Sequence, residues 1–153
     1  MSAFEAKQLT LRKELTELER LGSWIEGYAA LRSVPELLLA VQLCLEEAVA
    51  NVIMYGAPKS GELKISVCLC HCEGMLVARV KDNGQEFDPT QAPPFVAAQA
   101  LHNAEVGNIG IHLMRIFADA IDYERRGGCN QLTLRFIEGK YEREGGLGSW
   151  RGF

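Results

Sequence analysis

The chain has 153 residues, 48% hydrophobic and 24% charged, which is the size and composition of one globular domain able to bury a real core. A formal net charge of −4, with no lysine–arginine cluster anywhere, argues against a nucleic-acid surface. The opening Met1-Ser-Ala-Phe-Glu-Ala-Lys7 lacks the basic-then-apolar layout of a signal peptide, and no apolar run reads as a membrane span, so a cytosolic protein without membrane contact is expected.

Gln8-Leu-Thr-Leu-Arg12 alternates polar and apolar residues and predicts a short opening strand. From Lys13 to Leu31, Leu15, Leu18, Leu21, Ile25, Tyr28 and Leu31 recur at helical spacing, interrupted by Gly22 and Gly27. Ser33-Val-Pro-Glu36 has capping-box spacing with a proline in the first turn, which predicts a second helix running through Tyr55 to Gly56-Ala-Pro58. Gly61 to Val80 reads as a hairpin turning at Glu73-Gly74. Asp88 to Val106 has two adjacent prolines and little periodicity, and is expected to be a mobile loop. A third helix is expected after Gly110, burying Ile111, Met114, Phe117, Ala118 and Ile121. Ile121–Arg125, Gly127-Gly128 and Asn130–Ile137 then complete a second hairpin. The order β-α-α-ββ-loop-α-ββ predicts an α+β two-layer sandwich, with helices on one face of a mostly antiparallel mixed sheet.

Five cysteines, an odd number, fit reduced thiols better than a disulfide framework. Cys68-Leu-Cys70-His71-Cys72 has part of a metal-binding spacing. A zinc site needs four placed ligands, however, and a strand with small thiols at alternate positions explains the pattern more simply.

Three segments carry the chemistry. On the second helix Glu47 and Asn51 are four apart and share a face, on a helix that is otherwise apolar nearly all round. A carboxylate there is costly unless it is paired, solvated by a site, or placed at an exposed edge. Val77-Ala-Arg-Val80 leads into Lys81-Asp82-Asn-Gly84, an acid and a glycine at a strand end, which serve equally as a simple turn or as an acceptor for an adenine amino group. Val106-Gly-Asn-Ile-Gly110 precedes an apolar helix, whose unpaired amides and positive dipole end suit phosphate; a flexible loop before a helix is the plain alternative. No P-loop, no G-x-G-x-x-G and no G-x-S-x-G elbow is present.

In this order the segments resemble the N, G1 and G2 boxes of the ATPase superfamily that includes gyrase and the histidine kinases. The closer resemblance is to the anti-sigma factor serine/threonine protein kinases, and it extends from about Leu9 to Phe136, including Gly128-Cys-Asn130-Gln-Leu-Thr133-Leu. The resemblance implies a Bergerat ATP-binding fold over residues 1–137, with 138–153 as a loosely held tail. By the same resemblance Glu47 is the general base, Asn51 the magnesium ligand, and Asp82 with Gly84 the adenine-reading pair. Thr133 is implied as the hydroxyl supporting Asp82 through water, Gly107, Asn108 and Gly110 as the phosphate box, and residues 88–106 as the ATP lid. One departure is plain: Glu86 stands where the family commonly has the second glycine of D-x-G-x-G. The implied cofactors are ATP and Mg2+. The implied partners are an anti-sigma factor antagonist, phosphorylated on serine or threonine, and a sigma factor; homodimerisation is a further expectation. The alternative expectation is a catalytically silent ATP-binding module that switches partners.

Overall fold

A computed structural model describes residues 5–58, 61–92 and 106–142. Its elements are β1 (Glu5–Leu11), α1 (Glu17–Glu26), α2 (Ala29–Arg32), α3 (Pro35–Tyr55), β2 (Ile65–Cys72), β3 (Met75–Asp82), a 3₁₀ turn (Pro89–Gln91), α4 (Val106–Phe117), β4 (Ala120–Arg126), β5 (Cys129–Ile137) and α5 (Gly139–Glu142). The five strands form one sheet in the order β1-β2-β3-β5-β4, and every pair is antiparallel. The mixed component expected of the sheet is therefore absent among the described strands.

Both hairpins follow from their turns. Glu73 and Gly74 take φ of 49° and 77°, and Gly127 and Gly128 take 59° and 75°. Two left-handed residues in a two-residue loop match the natural twist of the flanking strands. The resulting registers place Cys72 against Met75 and Arg126 against Cys129.

Strand alternation sends Leu9, Leu11, Ile65, Val67, Leu69, Leu76, Ala78, Val80, Leu132, Leu134 and Phe136 to the helix-covered face. Leu21 and Ile25 of α1, with Tyr28 and Leu31, close the core from one side, and Ile111 and Met114 of α4 close it from the other. Each such large side chain, fully buried, contributes about 1.5–3 kcal/mol. α3 lies between these neighbours, which explains why it is apolar nearly all round. It is also long and apolar enough to cross a membrane, contrary to the expectation that no run is, but half of its most apolar stretch is buried inside the fold.

Three local expectations are corrected. The helix expected over 13–31 breaks at Gly27, whose N–H bonds back to Ser23 and Ile25 carbonyls, and Leu15 lies exposed ahead of α1. Ser33 does not cap α3; it closes α2, and α3 begins on Pro35 with Val34 at its N-cap and no side-chain cap bond. The beginning of the supposed loose tail is docked. Glu138 N–H bonds to Gly74 O, Tyr141 Oη donates to Phe117 O at 3.2 Å, and Lys140 pairs with Asp119. Burial pushes the Tyr141 hydroxyl up to about 12, as expected of a packed phenol. Residues 143–153, and 93–105 of the expected lid, lie outside the described residues.

Cys68, Cys70 and Cys72 stand at alternate positions of β2, on the face away from Val67 and Leu69. All five cysteines are free thiols. Cys44 is a core residue, its thiol pushed up to about 12 by burial and then by the Glu47 charge.

Candidate nucleotide site

The C-terminal half of α3 supplies one wall of a pocket. Ala48, Asn51, Val52 and Tyr55 recur at three- and four-residue spacing and line it together, facing Val80 and Asp82 of β3 and Asn130 and Leu132 of β5. Gln85, Phe87 and Pro89 border it from the strap that follows β3, and Met114 from α4. Asn51 is only 8% exposed, and its side-chain amide has no hydrogen bond among the described residues. The amide opens onto the pocket, where a ligand or hydrated ion can reach both its donor and its acceptor.

At the base of the pocket the chain turns sharply. Gly84 N–H bonds to Asp82 Oδ1 at 2.9 Å, and a Cβ on Gly84 would lie 2.5 Å from the Gly56 carbonyl oxygen. Only glycine permits this contact between the β3 turn and the end of α3. Gln85 Nε2 donates to Tyr55 O at 2.9 Å, and Asn83 ties the turn to the segment before β2 through Lys64 N–H and Glu62 O. Asp82 is 5% exposed, and Asn130 Nδ2 donates to its Oδ1 at 3.0 Å. Burial pushes its carboxyl above the ordinary range, opposed by the Asn130 and Gly84 hydrogen bonds and the Arg125 charge. Such a raised group favours the fold most fully below its unfolded pKa, and this contribution is lost as pH rises through the folded value. At neutral pH an ionised Asp82 thus works against the ligand-free fold, as binding groups often do.

Thr133 does not support Asp82. Three positions separate it from Asn130, so strand alternation turns it to the opposite face of the sheet, where it opposes Arg79 and accepts Arg79 Nε at 3.4 Å. The residue opposite Asp82 in register is Asn130, which occupies the place expected of the threonine. Sequence reasoning missed it, although it belongs to the Gly128–Leu134 segment that carries the resemblance. Counting the two-residue period back from the Asp82 pairing would have found it.

α4 begins at Val106, not after Gly110, so Gly107, Asn108 and Gly110 all lie within its first turns. The first four amides of any helix, here at 106–109, have no intrahelical acceptor. Gly110 has a different role from that of a loop glycine: a Cβ there would meet Glu47 Oε2 at 2.3 Å and Glu47 Cβ at 3.1 Å. Its missing side chain makes the room that Glu47 occupies between α3 and α4. Glu47 is half-buried, and its charge acts after burial itself in pushing up the neighbouring Glu46. Along α3, Tyr55, Asn51 and Glu47 are spaced four residues apart, about 6 Å each. Tyr55 and Asn51 line the pocket on this face of α3, while Glu47, one turn further on, and Gly110 lie outside its lining.

Glu86 does not enter this pocket. It is exposed, is not among the lining residues, and its φ is not positive, so the turn does not require the glycine it replaces. The strap beyond it is pinned by Asp88 Oδ1, which accepts Thr90 N–H at 2.9 Å, and by Arg115, which donates to Ala92 O at 2.6 Å.

Fold and site together define an α+β sandwich with a ligand pocket between the sheet and its helices, floored by a buried acid. Residues 11–136 match the histidine kinase-like ATPase domain family, and the chain belongs to that family. It is 34% identical over 113 residues to the serine/threonine-protein kinase BtrW of Bordetella bronchiseptica, covering 72% of this chain and 79% of that protein. The fold is also that of the histidine kinase domain of the Erythrobacter litoralis EL346 blue-light activated histidine kinase, with a TM-score of 0.56 at 12% identity, over 87% of this chain and 64% of that one. Membership in the family implies that the domain binds ATP.

Proposed function

We propose that the protein is an ATP-dependent serine/threonine kinase that phosphorylates an anti-sigma factor antagonist, and that the unphosphorylated antagonist competes with a sigma factor for it. The observation that carries this reading is the half-buried Glu47 carboxylate held against Gly110, one helical turn from the unpaired Asn51 amide, in a chain similar to a serine/threonine-protein kinase. Asp82 accepts the adenine amino group, and Gly84 lets the backbone approach the ring. Asn51 is the residue that would hold Mg2+, and an amide oxygen opening onto the pocket fits a hard cation. When bound, the ion neutralises phosphate charge. Amides at 106–109, with Gly107 and Asn108 among them, face the phosphates from the positive end of α4. Glu47 accepts the hydroxyl proton of the acceptor residue, and positioning supplies most of the remaining catalysis. A homodimer remains part of this proposal by resemblance, and no nucleic acid is among the proposed partners.

The rival reading is a silent partner-switch module that binds ATP without transferring its phosphate. Incubation with γ-labelled ATP and a co-encoded antagonist tests the proposal. Label on a serine or threonine of the antagonist is the expected result, and ATP binding without transfer to any such antagonist favours the rival.

The magnesium assignment has its own test. Asn51→Ala should lose the metal-dependent part of ATP affinity while adenosine binding stays near wild type, as read by titration with and without Mg2+. Equal losses in both conditions would show disturbed packing instead.

A further inference from the structure

We propose that Arg125 is a positioning residue for base recognition: acting through Asn130, it holds Asp82 as an acceptor facing the pocket, and so sets a preference for a 6-amino purine over a 6-oxo one. The proposal rests on the adenine reading above and adds to it the residue that makes the reading selective.

The argument starts with an amide. Arg125 of β4 is paired in register with Asn130 of β5, and its Nη1 donates to Asn130 Oδ1 at 2.8 Å. Tyr123 Oη donates to the same oxygen at 2.5 Å. Phe87 N–H adds a longer third bond to it at 3.5 Å, so the oxygen is surrounded by donors, and the two short ones fill its lone pairs. Flipping the Asn130 amide would set its NH₂ against a guanidinium that has no acceptor, so the orientation is locked. Nδ2 is thereby aimed at Asp82 Oδ1 at 3.0 Å and Gln85 O at 2.8 Å.

The consequence reaches the acid. Asp82 Oδ1 receives two donors, Asn130 Nδ2 and Gly84 N–H, and among the described residues no donor is recorded on Oδ2. One carboxylate oxygen is thus fixed by the protein and the other is left for a ligand donor. A 6-amino group donates to it, whereas a 6-oxo group would place acceptor against acceptor. Arg125 acts a second time through Gly84 O, which it holds at 3.1 Å, fixing the turn that brings Asp82 and Gly84 together. Its positive charge also favours the ionised, accepting form of Asp82. Arg125 is absent from the pocket lining, so it acts on the base indirectly, through Asn130, Gly84 and its charge.

The test compares magnesium-loaded ATP and ITP, which differ at the 6-position, by calorimetric titration of wild type, Arg125→Met and Tyr123→Phe. Methionine keeps the stem and removes every donor. Arg125→Met should lower the ATP-over-ITP preference about tenfold while ITP affinity changes little, because a buried polar group is then misaligned rather than a contact simply lost. Tyr123→Phe removes one of the two short donors to Asn130 Oδ1 and should lower the same ratio less, and it carries the test if Arg125→Met does not fold. A merely structural role predicts equal losses for both nucleotides, and that result overturns the proposal. A wild-type preference that survives in both variants also removes the proposal and leaves the adenine reading standing. A wild type with no preference removes both together.

Discussion

Glu47→Gln should bind ATP about as tightly as wild type and transfer phosphate about 10²–10⁴-fold more slowly. Glutamine matches glutamate in size, so it fits the space between α3 and α4 that Gly110 leaves open. The fold should therefore be indifferent to the change. Proton acceptance belongs to the transition state, so removing the carboxylate costs rate and leaves ground-state binding alone. Loss of the Glu47 charge should also relieve part of the upward push on Glu46, which favours a variant at least as stable as wild type near neutral pH. Phosphate incorporation into the antagonist at saturating ATP is the measurement. Equal incorporation by both proteins would leave a kinase without Glu47 as its base, and lost ATP binding would place Glu47 in the ground-state site.

Gly84→Ala should both weaken the fold and remove nucleotide binding. The added Cβ would lie 2.5 Å from Gly56 O and 2.9 Å from Asp82 Oδ1. The first of these is backbone, so the end of α3 and the β3 turn must separate. Overpacking of this kind costs about 1–3 kcal/mol. Separation also breaks the Gly84 N–H bond to Asp82 and moves Gly84 O away from Arg125. Thermal unfolding should show the lowered stability, and ATP titration the lost affinity. Gly110→Ala is the contrast, because its Cβ meets the Glu47 side chain rather than backbone. A flexible side chain can move, so that variant should keep more of its stability and lose phosphoryl transfer. A Gly84→Ala protein with wild-type stability and affinity would mean that the close approach to Gly56 is incidental.

Much of this was legible because local rules and tertiary context agreed. Alternation in β2 and β3 and the Glu73-Gly74 and Gly127-Gly128 turns specify two hairpins with their registers, and the structure has both. The neighbours Glu47 and Asn51 follow from helix period alone. What failed was decided elsewhere. Gly110 reads as a helix-start glycine in sequence, yet it serves the packing of α4 on α3, which no local pattern encodes. Thr133 was carried by resemblance onto the wrong face of β5, an error of odd against even spacing. Arg125 carries no motif, and its contacts with Asn130 and Gly84 exist only once β4 and β5 pair and the β3 turn comes to rest beside them. The docking of Tyr141 was likewise hidden, since a charged, glycine-rich tail gives no sign that its first residues pack on Phe117.

The central claim is that Asp82 reads the base of an ATP bound between α3 and the sheet, and calorimetric titration of Mg-ATP into wild type and Asp82→Ala tests it most directly. The variant removes a buried, charge-assisted acceptor from the floor of the pocket, and its fold should survive because burial already works against that charge. Saturable wild-type binding, weakened by about 1.5–3 kcal/mol in a folded Asp82→Ala protein, is the predicted result. Unchanged ATP affinity in the folded variant would contradict the account.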